Sequence, residues 1–403
     1  MLPRSNVAKM LVVYFCTRFH LYIHAYALVL VGRGLSLLEI STIESVVIAT
    51  LFLAEVPTGV LADRVGRKGS IVLSTLFLVL GELIFAFSSQ YWQYLIIAVC
   101  TGLGFAFSSG AAESLIYDSL PPENRDVTMK HTMGRYNSVG QIAFFLAPLV
   151  GGIVLGDLAP ERVQAAILLT VLALGIGVLV SLRLREPVTE WHAERSSARQ
   201  IFVGGMAQIR SSPRLRKLVL VIFLTAPFGG TFITTLAGPY LAQNGVPPYW
   251  IALALSFGSL IAAFAQANVH RIERLLGERW ALVVLILLPG VNYLLLASLV
   301  GALPVWLLVM FMYGTNDLKA PLLSATQNAL ISSHSRATVL SMISMIVNVF
   351  VAVVAPIYAS LATRSLSLAF VVMGSVILGA SLLLRIDRLP FVAGVKVPAP
   401  QSE

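Results

Sequence analysis

The sequence predicts an all-α membrane protein with twelve transmembrane helices in two pseudo-symmetric six-helix bundles. Three observations carry that prediction. The chain is 57% apolar and only 12% charged, with a mean hydropathy of +0.85, whereas a soluble domain carries about 25% charge. Apolar runs of spanning length recur along nearly the whole chain. The basic residues collect in alternate loops between those runs.

The runs fall at 8–31, 39–62, 69–89, 91–119, 130–155 and 163–183, then at 216–242, 248–270, 279–300, 303–331, 337–360 and 366–384. Each matches the ~20 residues that a hydrocarbon core of ~30 Å requires of a helix. Spanning strands would alternate in segments of about ten residues, and these runs do not. No small-residue cleavage site follows the first run, so it reads as a retained span rather than a signal peptide. Cys16 and Cys100 lie inside apolar runs, with neither a disulfide framework nor a zinc spacing around them.

Lys and Arg set the orientation. With the N-terminus inside, 22 of the 28 basic residues fall in inside loops and tails. Arg33, Arg162 and Arg364 fall outside, and Arg18, Arg135 and Lys319 lie within spans. This asymmetry predicts a cytoplasmic-membrane protein with both termini cytoplasmic. It also accounts for the net charge of +9 without a nucleic-acid partner.

The expected domains are an N-terminal bundle over 1–184, a cytoplasmic central loop over 185–215, a C-terminal bundle over 216–390 and a cytoplasmic tail over 391–403. The central loop is polar and basic, and too short for an enzymatic domain. The halves echo each other. Gly66 and Gly277 stand 211 residues apart, each after the second span of its half, and Arg125 and Arg336 repeat the offset at the start of each fifth span. Such repeats are common in secondary transporters.

The loop between spans 2 and 3 reads GVLADRVGRKGS. A phosphate loop needs G-x-x-x-x-G-K-[ST] between a strand and a helix, and GRKGS lacks that spacing. Gly59 lets two helices approach closely, and Gly66 permits a tight turn. Asp63, at a helix end, can face the positive N-terminus of another helix. GVLADRVGRK resembles the loop that marks the major facilitator superfamily, with Gly59, Asp63, Arg64, Gly66, Arg67 and Lys68 at the matching positions. The resemblance implies an inside latch, in which Asp63 faces the start of span 11 and Arg67 pairs with Asp118 on span 4. A second stretch resembles the family's span-5 antiporter motif at Gly134, Pro148, Gly151 and Gly152. Ala143 and Ala147 replace two of its glycines, and close helix packing explains the same residues. Ala98 stands where many proton antiporters carry a span-4 arginine.

A charge at the bilayer centre costs about 2.5–3.5 kcal/mol and needs a partner, a cavity or a function. On a continuous span 1, Arg18 shares a stripe with Tyr14, Tyr22 and Tyr26, while His20 falls about 200° away. Arg18 and Tyr22 are therefore candidate cavity residues, and helix–helix hydrogen bonding is the expectation for His20 and His24. Glu113 and Tyr117 share a face of span 4. Glu113 is the proton-coupling candidate, and Tyr117 joins the cavity candidates. Asp317 and Lys319 point to different sides of span 10, so one of them reaches the cavity. Glu44 and Glu55 are expected to snorkel or pair between helices. Spans 3, 6, 9 and 12 are the lipid-facing supports that the resemblance implies, with Glu82 the one interior charge among them.

The resemblance implies a secondary transporter, and proton-coupled efflux of drug-like or amphiphilic compounds is the leading expectation. The alternatives are uptake or facilitated passage of a small polar or anionic metabolite through Arg18, and a lipid flippase or membrane receptor on the same scaffold. The partners expected are a small-molecule substrate, protons and the lipid bilayer. No cofactor or metal site is implied, no enzymatic activity is predicted, and the chain is expected to act as a monomer.

Overall fold

The computed structural model describes residues 3–121, 125–186, 206, 209–225, 229–230, 232–316, 318–331 and 336–388. The side chains of Asp63 and Arg64, and all of Asp317, lie outside what is described. The described residues are helical, with no strand among them. Among the described residues, nine helices are long and apolar enough to cross a membrane. Of the other three expected spans, 1 and 10 are broken helices, and span 7 is described in separate pieces.

Span 1 runs as Pro3–Arg18 and Tyr26–Gly32, with a 3-10 turn at Ile23–Ala25 between them. Span 7 runs as Pro213–Thr225, a π turn at Phe232–Leu236, and Ala237–Gln243. Span 10 divides into Ala302–Thr315 and Lys319–Leu330. Span 4, expected to be continuous, also breaks: Tyr91–Ser108 ends at Ser109, and Ala111–Asp118 begins after Gly110, whose φ is +71°. Spans 1, 4 and 10 are thus interrupted, and span 7 carries a π turn. Spans 2 and 3 form Leu37–Phe87, bent at Gly66 (φ +87°), and span 9 begins beyond the same bend at Gly277 (φ +76°).

The remaining helices follow local sequence rules. Ser36 caps span 2, accepting from the Glu39 N–H, while the Glu39 carboxylate accepts from Ser36 N–H at 2.8 Å. This closed capping box satisfies two otherwise orphaned groups. Pro160 and Pro248 open Pro160–Leu182 and Pro248–Ala267, where the missing proline N–H costs nothing.

Twofold likeness extends to side chains at the basic end, where the Lys- and Arg-rich loops lie. Lys9 Nζ donates to the Arg183 carbonyl at 2.7 Å, and Lys217 Nζ to that of Arg385 at 2.7 Å. Each ties the first helix of a half to the end of its last. Arg125 donates to Leu120 O and Arg336 to Asn328 O, both at 3.2 Å.

Packing between the halves differs at the two ends. At the far end one apolar core joins Leu30, Ile40 and Leu155 of the first half to Leu236, Leu241 and Ile251 of the second. At the basic end, among the described residues, each apolar cluster belongs to one half. Met10, Ile71, Leu115 and Leu184 form one. Leu218, Leu282 and Ile386 form a second, and Leu215, Ile331 and Val339 a third. Among the described residues, the apolar core that joins the halves therefore lies at the far end.

Candidate functional site

The break in span 1 creates the site. After Arg18 the chain leaves the helix, and its freed backbone groups find new partners, as burial in lipid requires. Leu21 N–H donates to Thr170 Oγ1 on span 6 at 3.2 Å. The Leu21 carbonyl lies against Gly151 of span 5, so closely that a Cβ there would collide with it. Gly152 meets span 8 instead, where a Cβ would come within 2.7 Å of the Ala252 side chain. Two neighbouring glycines thus bring span 5 against the span-1 break on one side and against the second half on the other. At Gly134 an added Cβ would meet nothing within 4 Å, and Pro148 lies inside Arg125–Leu155.

The unwinding also changes which side chains meet. A continuous helix separates His20 from Arg18, but in the broken one Arg18, His20, Tyr22 and Tyr26 all line one cavity of about 340 Å³. Glu44 and Glu82 line it too, and Phe85, Tyr94, Phe105 and Phe144 supply aromatic wall. Among the described residues of its lining, only Thr234 comes from the second half.

The carboxylates of this cavity correct the picture drawn from spacing. Glu82 is on span 3, expected as a lipid-facing support, yet its carboxylate points inward. It accepts from the Tyr22 hydroxyl at 2.6 and 2.7 Å and lies 3.2 Å from His20 Nδ1. His20 therefore pairs with Glu82, while His24 is buried with neither ring nitrogen hydrogen-bonded. Glu44 crosses to the second half, with Thr234 Oγ1 at 2.9 Å and Thr235 Oγ1 at 3.3 Å from its Oε2.

Of the sequence candidates, Arg18 and Tyr22 line the cavity, and the Arg18 guanidinium sits 5.2 Å over the Tyr14 ring. Glu113 and Tyr117 lie outside it, both exposed, on the short helix beyond Gly110. Tyr117 carries the Arg125 guanidinium 5.1 Å above its ring. Lys319 donates to Asn316 O at 3.2 Å. Asp317 lies outside the described residues.

At the basic end, Arg67 forms an ion pair with Asp118, and its guanidinium donates to Ser114 O at 2.9 Å. Glu186, just past span 6, adds a contact that the sequence did not disclose. Its two carboxylate oxygens accept from Arg67 N–H and Lys68 N–H, each at 2.7 Å. An anion thus caps the first turn after the Gly66 bend, where helix N–H groups lack partners. Gly59 and Lys68 lie on the two arms of that bend. Asp63 and Arg64 side chains, and residues 332–335 ahead of span 11, fall outside the described residues.

Broken spans 1, 4 and 10, a cavity at the span-1 break and an apolar core joining the halves at the far end are the architecture of a membrane transporter. The family model described as Major Facilitator Superfamily matches residues 10–346, and the chain belongs to that superfamily. It is 28% identical over 253 residues to the class E tetracycline resistance protein of Escherichia coli, covering 61% of this chain and 59% of that protein. It is 27% identical over 224 residues to the inner membrane transport protein YajR of Escherichia coli strain K12, covering 54% of this chain and 46% of that one. An uncharacterized MFS-type transporter of Methanocaldococcus jannaschii is 33% identical over 120 residues, 30% of each chain. The matched region thus spans between 30% and 59% of the length of these relatives. Among solved structures, the nucleoside transporter NupG superposes with a TM-score of 0.77 at 11% identity, covering 96% of this chain and 99% of that one. The peptide transporter POT in complex with sulfate gives 0.69 at 18%, covering 96% and 95%. At such identities these likenesses concern the fold.

Proposed function

We propose that the protein exports an amphiphilic organic cation across the cytoplasmic membrane in exchange for protons, by rocking of the 1–184 bundle against the 216–390 bundle. The observation that carries this reading is the lining of the cavity, where two carboxylic side chains stand among Tyr, Phe and Thr. Aromatic faces attract a desolvated cation by about 2 kcal/mol, and a carboxylate supplies its counter-charge. By the positive-inside rule the basic end is cytoplasmic, so the apolar core shared by the halves lies at the end through which cargo would leave. The tetracycline-resistance relative favours export over uptake.

In this reading Arg67, Asp118, Gly66 and Glu186 form the cytoplasmic latch, with Asp63, Arg64, Lys68 and Gly59 in the same loop. Gly151 and Gly152 serve the opposite closure. The cavity acids Glu44 and Glu82 take the coupling role that spacing alone suggested for Glu113. Anion transport through Arg18 is the second reading, since Arg18 lines the same cavity.

The test is equilibrium binding of tetraphenylphosphonium and of benzoate to the purified protein in lipid nanodiscs. The cation is expected to bind. Glu82→Gln should weaken it about tenfold, equivalent to about 1.4 kcal/mol, and Arg18→Ala, which removes a like charge from the cavity, should not weaken it. Benzoate binding that is lost in Arg18→Ala, with no binding of the cation, would establish the anion reading instead.

A further inference from the structure

Glu44 belongs to the first half, yet its polar contacts belong to the second. Its Oε2 meets the hydroxyls of Thr234 and Thr235 in the π turn of span 7, at 2.9 and 3.3 Å. Its Oε1 is buried with no hydrogen-bond partner among the described residues. The Thr234 hydroxyl also lies 2.9 Å from the carbonyl of Gly230, one turn earlier on its own span.

A hydroxyl has one proton to donate, so Thr234 can serve Gly230 or Glu44 but not both. With Glu44 neutral, the count closes. Its Oε2–H donates to Thr234, Thr234 donates to Gly230, and Thr235 donates to Oε2. Only a neutral carbonyl oxygen is left unpaired. With Glu44 ionised, Thr234 must abandon Gly230, and an anionic oxygen lies buried without a donor. Burying an unpaired charge costs far more than burying an unpaired neutral acceptor.

Among the described residues, no cation is paired with Glu44. Span 1 presents Tyr26 to the same cavity, and its Arg18 and His20 line it as well, but Arg18 lies over Tyr14 and His20 pairs with Glu82. Span 3 contributes Glu82, of like charge, and span 4 contributes Tyr94. Span 7 has no charged residue between positions 218 and 243, its titratable group there being Tyr240. Span 11, packed along span 2, has none between positions 342 and 363, where Tyr358 is the titratable group. On its own span, Glu39 is engaged with Ser36, and Glu55 lies three turns away.

We propose that Glu44 joins the two halves at the far end only as the neutral acid, so that closing this end binds a proton and Glu44 is the group that carries it. This rests on the alternating-access reading above, though not on the identity of the cargo. When the far end opens, water reaches the carboxyl and can replace the threonine hydroxyls. A proton taken from the far side then permits closure. Glu44 also lines the cavity, so a cation arriving there competes with that proton for the carboxyl, and the released proton leaves toward the basic end. One positive charge replaces the other, and the exchange balances.

The experiment measures the far end directly, without cargo. Spin labels at Glu161→Cys and Val300→Cys, exposed positions at the far end of opposite halves, report its separation in nanodiscs. Buried Cys16 and Cys100 are replaced by Ala. Between about pH 5 and about pH 8.5, a window above the ordinary glutamate range, the closed population should fall severalfold in the parent protein. In Glu44→Gln, a permanent neutral analogue, it should stay high at both. Thr234→Val with Thr235→Val keeps the carboxyl and removes its partners, and should lower the closed population even in acid. A parent insensitive to pH, or a Glu44→Gln protein that keeps the parent's pH response, would overturn the proposal. So would a closed population unmoved by the double valine change, which decides the matter if Glu44→Gln does not fold. Failure to bind or move organic cations with these distances behaving as expected would refute the cargo reading alone.

Discussion

Replacing Arg67 by Ala should destabilise the protein more than neutralising its partner Asp118. The Asp118 side chain is only 9% exposed, and Arg67 is 25% exposed. Removing Arg67 strands a nearly buried carboxylate, for which the cost is about 3 kcal/mol, the low end for breaking a buried pair. Asp118→Asn leaves Arg67 partly hydrated and still donating to Ser114 O, so its cost is about 1 kcal/mol, that of one hydrogen bond. With about 2.1 cal/mol/K of unfolding entropy per residue over 403 residues, the Arg67→Ala loss corresponds to about 3–4 °C in Tm. The assay is thermal unfolding of both single variants and the double variant in one detergent. The double variant should be more stable than the sum of the single effects by about 1–3 kcal/mol, as expected for residues in contact. Equal single effects that add to within about 0.5 kcal/mol would refute the claim that the two charges depend on each other.

Other expectations concern backbone contacts. Gly151→Val places a side chain against the Leu21 carbonyl. It should abolish far-end closure in the spin-label assay, and a parent-like distance distribution would show that this approach is dispensable. Glu186→Ala uncaps two N–H groups at the start of span 3. The loss should be about 1 kcal/mol, with hydrogen exchange at Arg67 and Lys68 accelerated about fivefold; unchanged exchange would assign the protection to another group. Gly66→Ala forces a side chain into φ +87° and within 2.8 Å of the Glu186 carboxylate. It should cost about 1–2 kcal/mol, and pairing it with Glu186→Ala should recover part of that loss.

Much of the fold was legible because its causes are local. Apolar length, loop charge and the glycines at 66 and 277 each act over a few residues. The cavity was harder to read because the interruption of span 1 has no sequence signature. Residues 18–23, RFHLYI, contain neither glycine nor proline, and the break is held by Thr170 and by the approach of Gly151, both distant in sequence. A stripe drawn on a continuous helix therefore separated His20 from Arg18, whereas the structure places them in one cavity. Glu82 was misplaced for a related reason. Its span was assigned to the periphery as a unit, but one face of that helix reaches Tyr22 and His20. Glu186 lay hidden in a loop read by composition, and its role depends on where the end of span 6 meets the Gly66 bend. By contrast, Gly110 lies in the serine- and glycine-containing stretch SSGAA, a local cue to the break in span 4.

The exchange to be measured is that of an organic cation for protons through the cavity shared by Glu44 and Glu82. It is tested most directly in proteoliposomes loaded with a pH-sensitive dye and given an inward proton gradient. Addition of tetraphenylphosphonium should accelerate proton movement opposite to that of the cation. Glu44→Gln should abolish the coupled proton flux. Proton flux that ignores the cation, or that survives intact in Glu44→Gln, would contradict the account.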